Sequence, residues 1–530
     1  MTKIDKLEIL KNAGSSWFAL GVTVVVGFFL SPYILHHLGD EAFGLWVLIF
    51  SITGYYGLFD LGIRSSIVRY VAGYAATNDA EQLNLLVNTA MISYAAIGAV
   101  CLLITALGTY FVDSIFHVPP DFLRTARWLF AMVGTSVSLG FPLGVFTGIL
   151  EGLQRFTLTN LTSMTSTLVR AVLILIALQH GRGLLTVAFI TVVLPLVASL
   201  VNATIVLRIL PIRFSIHSLD RQTLRNIASY SGPTFMIIVA SKLRFKTDAM
   251  VIGTFLSAAS ITYFAIGSRL LDYAGEVVSS LAQLFVPMSS QVHASNDVDR
   301  LKKIVLAGNR ACSFIIFPIA AILVIQGKSV IEAWVGAKYI SRSYPVMLIL
   351  LFAYVLMLSQ SACNRVLFGM AKHKALAIAT LIEGVANLAL SIALVRPYGI
   401  IGDALGTAIP LCCTMLFFLP HYVCRLLKIR LGTYIREAFT LPLLLCIPLV
   451  GALLWMRHWF VPHNYVQLCE QLLLAGAVYG IGLSWAVWTH RAWSVGGLGA
   501  SVALADRSGN DSPANESPLN DPPVEIVDGP

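Results

Sequence analysis

The chain has 530 residues, of which 57% are hydrophobic and 12% charged, and its mean hydropathy is +0.79. A soluble domain carries about 25% charged residues, so these values exclude an ordinary soluble protein and indicate a polytopic membrane protein. The net charge of +9 comes without a basic run interleaved with aromatics, which argues against a nucleic-acid partner.

In chain order, the opening MTKIDKLEILKNAGSSW is an amphipathic lead-in. It lacks the apolar core and small-residue site of a cleavable signal peptide, so none is expected. Apolar runs predict an all-α protein of fourteen membrane helices, at about 15–36, 43–62, 84–112, 125–149, 157–179, 183–209, 232–256, 260–288, 309–327, 344–369, 374–395, 400–424, 437–457 and 466–489. The stretch 289–306 is polar and reads as an interfacial loop with a half-helix. Connections this short leave no room for a soluble domain. The end, from Asp506, is rich in Pro, Asn and Ser and is expected to be disordered. The expected organisation is a first lobe at 1–209, a linker at 210–231, a second lobe at 232–424, two added helices at 425–490 and a tail at 491–530.

Lys and Arg crowd the N-terminus, the loops after the even-numbered predicted helices and the tail, while the opposite loops are poor in them. This bias places both termini in the cytoplasm. The eight cysteines fall mostly inside apolar runs, without metal-ligand spacing, and read as small apolar residues; no metal site or cofactor is expected. No phosphate-binding G-x-x-x-x-G-K-[ST] loop occurs, which argues against energy coupling by this chain's own nucleotide hydrolysis. There is no enzyme signature.

The stretch FMIIVASKLRFKTDAMVIGTF, from Phe235 to Phe255, is apolar enough to span a bilayer yet holds Lys242, Arg244, Lys246 and Asp248 in its middle. Each charge at a helix centre costs about 2.5–3.5 kcal/mol, so four facing lipid would cost roughly 10–14 kcal/mol. They must face other helices, each other or water. On a continuous helix Lys242 and Lys246 share one face, with Arg244 and Asp248 nearly opposite. An Arg244–Asp248 pair would leave the two lysines as net positive charge. Two readings follow: a buried structural network, or a cationic lining for an anionic cargo.

An internal repeat is visible. GLQRFTLTNLTSMTSTLVRAVLILIALQHGRGLL, from Gly152, parallels GMAKHKALAIATLIEGVANLALSIALVRPYGIIG, from Gly369. Each reads as a Gly-led basic turn, a helix, a short turn with Gly181 or Gly399, and a second helix. Such spacing suggests two six-helix lobes with a substrate path between them near the midplane. The counterpart of Lys242–Asp248 in the first lobe falls in VVVGFFLS, from Val24, which has no charge.

The stretch from Leu30, LSPYILHHLGDEAFGLWVLIFSITGYYGLFDLGIRSSIVRYVAGYAA, resembles the start of the polysaccharide-transporter family of the multidrug/oligosaccharidyl-lipid/polysaccharide exporter superfamily. The matching parts are Lys11-Asn12, LG…FGLW at 38–46 and FDLGI…RY at 59–70. KTDAMVIGTFLSAASITYFAIGSRL, from Lys246, resembles the family's seventh and eighth helices. The resemblance implies a V-shaped bundle whose members flip polyprenyl-diphosphate-linked oligosaccharides across the bacterial inner membrane for O-antigen, capsule or exopolysaccharide assembly. A polysaccharide polymerase and export machinery are the partners it implies.

A diphosphate suits Lys and Arg as charge-assisted donors. The candidates are Lys242, Lys246, Arg244, Arg170 and Arg365. Arg269 reads as ion-paired with Asp272 and Glu276 along its helix. Tyr55, Tyr56, Asn160, Ser163, Gln360, Asn364 and Asn387 could meet a sugar or simply bond between helices. Ion coupling needs a buried carboxylate; Glu383, Asp248, Asp272, Glu276 and Asp403 qualify by position. Glu383, with no basic residue one turn away, is the strongest of these. Asp60 and Arg64 read as a structural pair, and His36 and His37 as solvated at the outer interface. The alternative function is a cation-coupled multidrug exporter on the same fold. A membrane-bound polymerase or glycosyltransferase is a third reading, opposed by the short outer loops.

Overall fold

The computed structural model describes residues 6–116, 118–214, 239, 242–244, 246–460, 462 and 465–489. The expected linker lies mostly outside the described residues, and the expected disordered tail wholly so. All regular structure among the described residues is helical. Eleven of the helical segments are long and apolar enough to cross a membrane. One of them, Lys374–Leu427, holds two predicted spans joined across a kink at Gly399 (φ 59°).

The first group comprises α1 (Lys6–Leu38), α2 (Asp40–Gly54), α3 (Ile63–Thr77), α4 (Ala80–Ile115), α5 (Leu123–Gly152), α6 (Phe156–Gln179) and α7 (Leu184–Ile209). Here α4 packs on α5, α5 on α7, and α6 on α1 and α7. The predicted second span runs as Asp40–Asp60, its last turn tightening from α2 into a 3-10 turn, Tyr55–Asp60, closed by Leu61 and Gly62 at positive φ. α3 went unpredicted: Arg64 and Arg69 make it too polar for a span. It forms because Ile63, Ser66, Ile67 and Val71 fall on one buried face.

The second group comprises α8 (Asp248–Phe255), α9 (Ala258–Ala282), α10 (Phe285–Ala294), α11 (Val298–Val335), α12 (Ile340–Ser359), α13 (Ser361–Gly369), α14 (Lys374–Cys413), α15 (Leu419–Leu427), α16 (Leu431–Ile435), α17 (Leu441–Trp459) and α18 (Tyr465–Trp488). α9 packs on α12, and α12 on α11 and α14. The predicted single helix at 344–369 breaks at Gln360 into α12 and α13. α17 and α18 attach to α11 through buried polar contacts: Gln326 donates to Gln471 at 2.8 Å, and Arg457 donates to the Ile325 carbonyl at 2.6 Å.

The backbone repeats where the sequence repeats. Leu153, Gln154 and Arg155 donate back to Ile149, Glu151 and Leu150; Met370, Ala371 and Lys372 make the same three bonds to Val366, Phe368 and Leu367. Gln154 and Ala371 both take positive φ, as do Gly181 and Gly399. A further pair escaped the sequence reading. Asn78 and Asn296 are left-handed, and each is followed by an N-cap aspartate, Asp79 or Asp297, that accepts from the backbone three residues on.

One apolar core joins the groups: Leu35, Leu45 and Ile49 pack in a single cluster with Ile252, Ile261 and Phe264. Toward the opposite end of α2 the first group keeps a core of its own, with Ile67, Val71, Leu86 and Ile149. The groups therefore share an apolar core at the Asp40 end, and polar contacts from Tyr55 to Lys242 and Thr247 join them at the other. Gly44 permits the fusion, since a Cβ there would lie 1.8 Å from the Ala258 carbonyl oxygen.

Candidate functional site

A cavity of about 490 Å³ lies between the two groups. α1, α2, α6 and α7 wall one side; Lys246, α8, α9, the end of α11, α12 and α14 wall the other. Its floor is aromatic and aliphatic, with Phe43, Trp46, Phe264 and Trp334. Five charged side chains reach it: Arg170 from α6, Lys246 and Asp248 from the start of α8, and Arg269 and Asp272 from α9.

Backbone geometry decides which charges arrive. The face pattern expected for 242–248 holds: the Lys246 N–H donates to the Lys242 carbonyl at 2.9 Å, Lys242 and Lys246 both lie beside the end of α2 and its 3-10 turn, and Arg244 and Asp248 both reach α14. Lys246 points into the cavity. Lys242 does not line it; its ammonium lies against Gly57 of the 3-10 turn, 3.5 Å from where a Cβ would be. Arg244 turns into the protein, is 8% exposed and pairs with Glu383 of α14. Among the described residues Asp248 is seen to accept from Thr407 at 2.9 Å rather than to pair with Arg244. Glu383, with no basic residue one turn away on its own helix, finds Arg244 from another element. Sequence distance along a single helix could not show either contact.

Arg269 was read as ion-paired with Asp272 and Glu276 along its helix. It instead contacts Tyr273, its guanidinium 5.2 Å from the ring centroid, while Glu276 is exposed and outside the cavity. Arg269 thus joins the site, within electrostatic reach of Arg170 across the cavity. Asp272 accepts from Tyr354 at 3.4 Å and feels the charges of Arg269 and Lys246. Arg365 is half-buried on α13 and does not line the cavity. Asp403 is fully buried behind it, its carboxylate without a hydrogen bond among the described residues.

The sugar candidates bond elsewhere. Tyr55 contacts Thr247 at 2.7 Å, Tyr56 contacts Thr105 at 2.9 Å, and Asn160 donates to Ser15 and Ser16. Gln360 donates to the Met415 carbonyl, and Asn387 to that of Arg244. Ser163 is exposed and Asn364 half-buried, and neither lines the cavity. The Asp60–Arg64 pair is also corrected: Tyr94 donates to Asp60, and Arg64 pairs with Glu151 at 2.6 Å. Burial works against the Arg64 charge, but the Glu151 hydrogen bond and charge outweigh it and raise its pKa. His36 and His37 are exposed, as expected.

Three cations against two carboxylates, held between two helical lobes, can bind an anion bearing more than one negative charge. The architecture defines the class: a multi-pass α-helical membrane protein of the two-lobed multidrug-exporter type. The solved lipid II flippase MurJ, in an inward closed conformation, superposes with a TM-score of 0.69 at 16% identity, covering 91% of this chain and 99% of that one. An inward-facing multidrug resistance transporter of the MATE family superposes at 0.63 with 15% identity, covering 77% and 95%. The family model described as polysaccharide biosynthesis protein matches residues 9–293, and the chain belongs to that family. A Shigella flexneri protein provisionally described as an O-antigen transporter is 20% identical over 404 residues, 76% of this chain and 95% of that protein. The uncharacterized membrane protein EpsK of Bacillus subtilis is also 20% identical, over 80% of this chain and 85% of its own length.

Proposed function

We propose that the chain moves a polyprenyl-diphosphate-linked oligosaccharide from the cytoplasmic to the periplasmic leaflet of a bacterial inner membrane by alternating access of its two lobes. The product would feed O-antigen, capsule or exopolysaccharide assembly, alongside a polymerase and export machinery. The carrying observation is that Arg170 comes from one lobe while Lys246 and Arg269 come from the other, all into one cavity. A diphosphate bound among them would contact both lobes and tie its own movement to theirs. Family membership and the O-antigen relative support a glycan cargo; the fold likeness supports lobe rocking. Both termini are assigned to the cytoplasm on the charge bias. Of the proposed coupling carboxylates, Asp248 and Asp272 face the cavity, which favours them over Glu383, Glu276 and Asp403.

The test is reconstitution into sealed vesicles holding a polyprenyl-diphosphate sugar, scored by glycan that becomes accessible on the opposite leaflet. Lys246→Gln with Arg269→Gln should abolish this without loss of protein. Undiminished flipping by that variant would refute the anion site. A second reading, cation-coupled export of a multidrug type, draws on Asp248 and Asp272 lining the same cavity. Gradient-driven loss of a cationic dye, sensitive to Asp248→Asn and present without glycan flipping, would favour it.

A further inference from the structure

At the end of the bundle where α1 gives way to α2, one carboxylate gathers a set of side chains from the other lobe. Gly39, at φ 81°, turns the chain so that Asp40 opens α2. Nothing on its own helix holds the carboxylate. Tyr339 donates to Oδ1 at 2.5 Å, Tyr263 to Oδ2 at 3.2 Å, and the Lys338 ammonium reaches both oxygens at 3.1 and 3.2 Å. The Asp40 carbonyl accepts from Thr262 at 2.6 Å. Every one of these donors belongs to α9 or to the turn between α11 and α12, which begins at Gly336 with φ 109°. The Tyr263 and Tyr339 rings lie 5.7 Å apart, with Lys338 over one and Arg342 over the other.

We propose that Asp40 is the release point of an inter-lobe latch, and that opening the cavity at this end requires its hydrogen bonds to Tyr263, Lys338 and Tyr339 to break together. The neighbouring packing makes the latch all-or-none. Gly44 touches the Ala258 carbonyl, and Trp334 donates its indole N–H to the Phe28 carbonyl at 2.7 Å. A seam this tight slides little, so the lobes either stay docked or part. Lys338 is 62% exposed on its side chain and contributes least, whereas the two phenols meet a carboxylate only 18% exposed. Neutralising Asp40 weakens every bond at one point, which a hub does and a single surface ion pair does not.

The experiment places a reporter cysteine, Ser31→Cys, in the cavity wall, with the exposed native Cys413 and Cys469 replaced by Ser. A membrane-impermeant maleimide is applied to intact cells and, separately, to inside-out vesicles. In the otherwise unaltered protein, labelling should come from the side away from Asp40. Asp40→Asn should raise labelling from the Asp40 side about tenfold, the size expected for losing one or two charge-assisted bonds. Tyr339→Phe should raise it less, and Asp40→Glu should leave it near the starting level. Tyr263→Phe and Tyr339→Phe keep the test decisive if Asp40→Asn fails to accumulate, since each removes one hydroxyl. Unchanged labelling in Asp40→Asn, or in both phenylalanine variants, overturns the latch. Both assays use cells that make no lipid-linked glycan, so this outcome is independent of whether the cavity takes one.

Discussion

The two lobes share a backbone and differ in chemistry. The turns after α5 and α13 make the same three hydrogen bonds, and α4 and α11 start from the same Asn-Asp cap. Yet the first lobe sends one charged side chain, Arg170, into the cavity, and the second sends four. The segment equivalent to 242–248 is unbroken helix in α1, whereas the second lobe bends at Lys246 and Thr247. Turn chemistry depends on a few local backbone demands and survives divergence on both sides. A buried charge survives only where partners from other helices receive it. Here those partners are Glu383 and Thr407, both on α14 of the second lobe.

The sharpest way to break this asymmetry is at Arg244. Replacing it by Ala leaves Glu383 buried without its cation and should cost about 3–5 kcal/mol. Arg244→Met with Glu383→Leu should recover most of that loss. Thermal unfolding in detergent measures both; equal stability of the single variant and the parent would show that the pair does not anchor the second lobe.

The next effect in size separates two lysines the sequence treats alike. Lys246→Gln removes a cavity charge and should weaken binding of a diphosphate-bearing lipid by about 1.5–3 kcal/mol. Lys242→Gln, on a residue lying against Gly57, should change it little. Equal losses in a titration would place both lysines in the site.

The duplicated caps should behave as twins. Asp79→Ala and Asp297→Ala each remove one side-chain bond to a helix N-terminus and should cost about 1 kcal/mol. Unequal losses would mean that the repeat is geometric but not energetic.

The smallest effect belongs to Arg64 and Glu151, whose arginine side chain is 50% exposed. Breaking the pair with Glu151→Gln should cost no more than about 1 kcal/mol. A larger loss in the same unfolding experiment would make this contact a lobe-wide lock.

Hydropathy and spacing determined the membrane class, most of the spans, the two-lobe repeat and the residue neighbourhood from which the site is drawn. Those properties follow from local rules: a bilayer demands long apolar runs, and a left-handed turn demands Gly, Asn or a tolerant residue at one position. Which charges meet was decided by tertiary structure alone. Arg244 finds Glu383 and Asp248 finds Thr407 across many residues of chain, and Arg269 meets Arg170 of the other lobe across the cavity. Asp40, unremarked in the sequence, becomes a hub only because α9 and the turn after α11 fold against it. Pairing energies depend on distance and burial in three dimensions, and helical periodicity reports only neighbours three or four residues away.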